Sequence, residues 1–186
     1  MRSLALAALM VVIAGPVPAQ EAPLPTTSAT ALRAGLAGNW NGALGYRDYQ
    51  SNALFEIPVT TTIEMVPDGV TQIRRSLFDD GPDKPVWITT VSLDDPVAGT
   101  VTSSTFRAGR AVELSTESVS ITRHVDATHW TIVYGRTGQD GDGMADIRVT
   151  ATRDGDALLE IKEVRPAGSS EAWAYRNQTR LSRAGD

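Results

Sequence analysis

The sequence predicts an all-β protein: an antiparallel up-and-down barrel of about ten strands, with a short helical turn on its N-terminal side. Ten runs rich in Val, Ile, Thr and aromatic residues lie at roughly 40–49, 54–66, 70–78, 85–93, 98–106, 111–124, 128–135, 145–153, 157–165 and 172–182. Turn-forming clusters punctuate them, among them Pro67-Asp68-Gly69, Asp79-Asp80-Gly81-Pro82, Asp94-Asp95-Pro96, Asp154-Gly155-Asp156 and Pro166-Ala167-Gly168. No interval is long enough for a crossover helix, so neighbouring strands pair antiparallel. A meander this long gains by closing on itself, because closure removes exposed strand edges.

The elements follow in order along the 186 residues, a length that fits one domain. Residues 1–19, MRSLALAALMVVIAGPVPA, read as a secretory signal: Arg2, an apolar run from Leu4 to Ile13, the helix breakers Gly15 and Pro16, and small Ala19 at the cleavage position. The apolar run is shorter than the roughly 20 residues a bilayer requires, so no membrane span is expected. The mature chain is therefore expected in the periplasm or secreted. Residues 20–27 (QEAPLPTT) form a Pro-rich leader, and 28–186 a single barrel domain. Ser28 is an N-cap, with Leu32 and Leu36 spaced by four behind it, which predicts one or two helical turns. From Phe55 to Met65 the odd positions Phe55, Ile57, Val59, Thr61, Ile63 and Met65 alternate with Glu56, Pro58, Thr60, Thr62 and Glu64, predicting a strand with one buried face. Pro58 lacks a ladder donor and is expected at an edge or bulge. The sixth run is long enough to be a hairpin in itself.

Composition excludes several functions. Seventeen Lys and Arg against 22 Asp and Glu give a net charge of −5, and loss of Arg2 with the signal makes the mature chain one unit more negative. No basic patch is present to neutralise phosphates, so nucleic acid is not an expected partner. There is no cysteine, so no disulfide partner, thiolate metal site or cysteine nucleophile is available. No G-x-S-x-G or S-x-x-K motif marks a serine nucleophile. The only histidines are His124 and His129, and strand parity sets His129 opposite Trp130, facing solvent. Catalysis is not the expectation.

A short helical lead followed by Gly38-Asn39-Trp40, where the first strand opens, resembles the calycin superfamily of lipocalins and fatty-acid-binding proteins. The stretch NWNGALGYRDYQS, with the later KEV and YRN, is also similar to exported bacterial barrels without assigned activity. The calycin resemblance implies a lipocalin-like barrel with an interior cavity. It further implies that Trp40 packs at the closed end and that a basic residue of the last strand, Arg180 or Arg183, lies across it. The Arg-x-Tyr pair of fatty-acid-binding proteins is absent, because Arg176 directly follows Tyr175 and faces the other way.

Function has to come from a site, and strand parity supplies candidates. Trp40, Leu44, Tyr46 and Asp48 share a face of the first strand; Trp173, Tyr175, Asn177 and Leu181 share one on the last. On the strand before it, Leu159 and Ile161 would carry Glu163 inward. Trp40, Tyr46, Asp48, Phe55, Glu163, Tyr175 and Asn177 are thus the candidate ligand-binding residues, for a small apolar or amphipathic molecule. The alternative is that Asp48 and Glu163 end their strands in water and the tyrosines are core residues. A second function class is an envelope protein with a filled barrel that contacts a protein or cell-wall partner.

The acidic stretch GQDGDGMAD, residues 138–146, is the one candidate for a cofactor. Asp140, Asp142 and Asp146, with Gly143, fit positions 3, 5, 9 and 6 of an EF-type calcium loop. The ligands at positions 1 and 12 are missing, since Gly138 and Val149 fall there. The other reading is a glycine-rich hairpin connection. No other metal or cofactor is expected.

Overall fold

The computed structural model describes residues 27–185 except 49, 83 and 142. The expected signal segment and the leader through residue 26 lie outside the described residues. A six-residue helix, α1 (Ala29–Ala34), precedes ten strands: β1 (Gly38–Arg47), β2 (Leu54–Met65), β3 (Thr71–Asp79), β4 (Pro85–Asp95), β5 (Thr100–Arg107), β6 (Glu113–Asp126), β7 (His129–Asp140), β8 (Gly143–Asp154), β9 (Ala157–Pro166) and β10 (Ala174–Arg183). Each strand pairs antiparallel with the next, and β1 pairs with β10, closing the barrel. The expected fold class is the observed one.

Turn chemistry sets the strand boundaries. In the β2–β3 turn the Asp68 carboxylate accepts from the backbone N–H groups of Val70 (3.0 Å) and Thr71 (2.8 Å), while Gly69 takes a positive φ of 75°. The sixth run is one strand, β6, rather than a hairpin. It contains no Gly, Pro or Asn to reverse the chain and absorbs its length in register shifts after Ile121 and His124. The barrel gives Pro58 no sheet edge. The residue sits opposite Ala43 of β1, one position before the β2–β3 ladder begins at Val59–Phe78.

The apolar core lies at one end, where α1 docks. Ser28 Oγ accepts from Ala31 N at 3.1 Å and starts the helix. Leu32 and Leu36 then pack on Trp40, Trp130, Leu158 and Leu181, all buried. Each of these aliphatic side chains contributes about 1.5–3 kcal/mol on burial. Trp40 Nε1 donates to Leu36 O at 2.8 Å, fixing β1 to the helix exit. Of the two candidate arginines, Arg183 lies across Trp40, its guanidinium 4.5 Å from the ring centre, and donates to Gly35 O (2.9 Å) and Ala37 O (2.8 Å). Arg180 instead turns outward to Glu56 at 2.8 Å.

Candidate functional site

The alternation of the strands puts two kinds of side chain inside the barrel. Part of the lining is apolar: Val59, Ile63, Phe78, Ile88, Val101 and Val149, with Leu36 from the helix exit. The rest is polar and includes buried Gln72, Ser76 and Ser92 together with Arg74, Tyr134 and Glu160. Together they enclose a cavity of about 320 Å³. A smaller pocket of about 130 Å³ at the end away from α1 shares Phe78 and Ile88 with it, and is completed by Tyr46, Asp80 and Arg107. The shared side chains Phe78 and Ile88 stand between the cavity and the mouth of the barrel.

The charged side chains lining the larger cavity each face an opposite charge. Arg74 makes a two-pronged pair with Glu160, at 2.8 and 2.9 Å. Burial opposes the Arg74 charge, but the Glu160 carboxylate outweighs it and the guanidinium pKa lies above its ordinary value. Arg33 of α1 is buried against Asp94 and donates to Gln72 Oε1 at 3.3 Å. Glu117 lies 3.4 Å from Arg136; burial pushes its carboxyl above the usual range despite that arginine. Tyr134 is pushed up to about 12 by burial, so its phenol stays protonated at any physiological pH.

Sequence comparison adds nothing to this: no family model matches the chain, and no curated protein matches it. Among solved structures it is similar to the crystal structure of Rv2717c from M. tuberculosis. The likeness has a TM-score of 0.55 at 19% identity and covers 86% of this chain and 100% of that one. At that identity it establishes the barrel fold.

The seven candidate binding residues do not converge. Trp40 is fully buried in the floor beneath Arg183. Tyr46 lines the mouth pocket, and Phe55 stands opposite it on the rim, 61% exposed. Asp48 lies beyond β1, where its carboxylate accepts from Gln50 N (3.1 Å), Ser51 N (2.7 Å) and Ser51 Oγ (2.8 Å). These bonds, that from Ser51 N first, hold Asp48 below the ordinary carboxylate range and shape the β1–β2 turn. Glu163 is a correction: it faces outward, bound by Arg148 Nε (3.0 Å) and Nη2 (2.7 Å). On β9 the inward residues are Leu158, Glu160 and Lys162; Leu158-Leu159 offers an apolar residue to both faces, so the pattern there fits either parity.

Tyr175 is a second correction. A register shift between Tyr175 and Asn177 breaks the period-two rule, so the two do not share a face. Tyr175 lies outside, beneath Arg47 (5.3 Å) and donating to Gly45 O at 3.1 Å, while Asn177 pairs in register with inward Lys162.

The acidic stretch is a hairpin connection: β7 runs to Asp140 and β8 starts at Gly143, with Gly141 at a positive φ of 63°. Asp140 points into the barrel, held by Lys162 Nζ (2.7 Å) and Arg176 Nε (3.2 Å). Burial works against its charge and these cations outweigh that, keeping its carboxyl below the ordinary range. Asp146 points out, accepting from Thr137 Oγ1 (2.8 Å) and Arg165 Nε (3.2 Å). Asp142 lies outside the described residues. The two described carboxylates are thus on opposite faces of the wall and do not form one ion site. Among the described residues no group of three or more His, Asp or Glu is placed to hold a metal.

The cavity residues that sequence reasoning missed are Arg33, Gln72, Arg74, Ser92, Glu117 and Glu160. The rule that apolar residues point inward hid them. On β3, Ile73 and Leu77 suggest one face for the core, whereas Gln72, Arg74 and Ser76 hold the interior.

Proposed function

We propose that this is an exported binding protein of calycin-like architecture, holding a small, partly apolar molecule inside its barrel without catalysis. The observation that carries the reading is the cavity of about 320 Å³, part apolar and part polar, with Phe78 and Ile88 standing between it and the mouth pocket. The Arg183–Trp40 stack at the α1 end matches what the calycin resemblance implies for that end. The lining carboxylates Glu117 and Glu160 each face an arginine.

Native mass spectrometry of the protein purified from its own cell envelope tests the reading. A small molecule retained in gentle conditions and released on unfolding is the expected result; protein that is ligand-free in every preparation overturns it.

One observation favours a second reading, an envelope protein that docks a partner. The outer face of β4–β6 exposes Trp87 (57%), Leu93 (52%), Phe106 (45%) and Leu114 (75%), an unusual concentration on one side of a barrel. Crosslinking in intact envelopes from a probe at Leu114 would trap a partner on that reading and give nothing on the first.

A further inference from the structure

Resting on the reading that the interior holds a small molecule, we propose that this ligand is electrically neutral and hydroxyl-bearing, of sugar or polyol type, with one apolar face. Three observations carry it. The first is that the charges around the cavity are already matched: Arg74 by Glu160, Arg33 by Asp94 and Glu117 by Arg136. A carboxylate ligand would have to displace Glu160 from both of its hydrogen bonds to Arg74, and an ammonium would have to displace Arg74 from Glu160. Either would also leave its own hydration behind without a free counter-charge, a cost that a neutral molecule avoids.

The second observation is a set of paired hydroxyls on four consecutive strands, β2 to β5. Thr61 and Ser76 are 2.8 Å apart, Ser92 and Ser103 2.9 Å, and Thr90 and Thr105 3.1 Å. Each hydroxyl carries one proton and two lone pairs. Within a pair one proton is spent on the partner, so the other remains to donate and both oxygens retain acceptor capacity. Ser76, Thr90, Ser92 and Ser103 all line the cavity. Such a wall offers donors and acceptors together, which suits ligand hydroxyls, because these also do both. A carboxylate only accepts and an ammonium only donates. The third observation is the apolar stripe of Val59, Ile63 and Phe78 beside these pairs, which suits the C–H face of a sugar ring or a short alkyl group.

Isothermal titration of the purified protein with butyl glucoside, butyrate and butylammonium tests the proposal, since the three share one alkyl chain and differ in the head group. Saturable heat from butyl glucoside alone is expected, weakened about tenfold by Ser92→Ala and by Thr90→Val, each removing one hydroxyl of a pair. The unfolding midpoints of both variants should stay close to the parent's. Heat from butyrate or butylammonium instead overturns the neutral class while leaving interior binding intact. Butyl glucoside binding that neither variant weakens overturns the assignment to the hydroxyl wall. Heat from none of the three overturns the ligand class, and native mass spectrometry then decides separately whether the interior is occupied at all.

Discussion

Arg74 and Glu160 show what a charge inside a barrel does to its neighbours. With about a quarter of each side chain exposed, the pair is neither a surface contact nor a dry one. Glu160→Gln leaves the guanidinium partly buried without its counter-charge, and a loss of about 2–3 kcal/mol in urea unfolding is expected. The double change Arg74→Met with Glu160→Leu should cost less than the single one, because no orphaned charge remains. Tyr134 supplies the pH dependence. Its phenol titrates near 10 when unfolded and near 12 in the fold, so the fold favours the protonated form. The contribution is present in full below about pH 10 and is lost as pH rises toward about 12, amounting to roughly 2–3 kcal/mol. Unfolding of the parent should therefore become steeply easier across that window, and unfolding of Tyr134→Phe less so. Arg74 was not legible as an interior residue. On β3 apolar Ile73 and Leu77 lie on the outer face and Gln72, Arg74 and Ser76 on the inner one, so hydropathy does not tell inside from outside there.

At the scale of elements, α1 is too short to hold itself together and depends on what β10 sends across it. Arg183 joins Gly35 O, Ala37 O and the Trp40 ring in one planar fork. Arg183→Ala is expected to cost about 2–3 kcal/mol, and Arg183→Lys to recover only part of that, since an ammonium cannot stack on the ring and serve both carbonyls at once. Calorimetric midpoints for the two variants check the order. Elements were the most legible scale. Turn residues such as Asp68-Gly69 and Asp154-Gly155 mark strand ends through backbone chemistry local to a few positions, and the stack of a last-strand arginine on Trp40 was what the calycin resemblance implied. The sequence could not show the register shift between Tyr175 and Asn177, because a bulge is set by the cross-strand partner rather than by the residues that bulge.

For the molecule as a whole, closure depends on one seam, β1 against β10, which joins strands from opposite ends of the chain. Gly42 sits in that seam opposite Leu181, and a Cβ built there would fall 1.8 Å from Arg180 O. The obstruction is backbone, so no rotamer change relieves it, and the two strands must part to admit a side chain. Parting them opens the barrel and leaves β1 and β10 with unpaired N–H and C=O groups, the template on which sheets add to one another. Gly42→Val should therefore do more than lower the midpoint: it should populate oligomers whose fraction rises with protein concentration in analytical ultracentrifugation. Gly143→Ala is the matched control, since nothing lies within 4 Å of its added Cβ, and its stability should stay within about 0.5 kcal/mol of the parent. A Gly42→Val protein that remains monomeric and unfolds like the Gly143→Ala control would show that the seam does not hold the barrel closed.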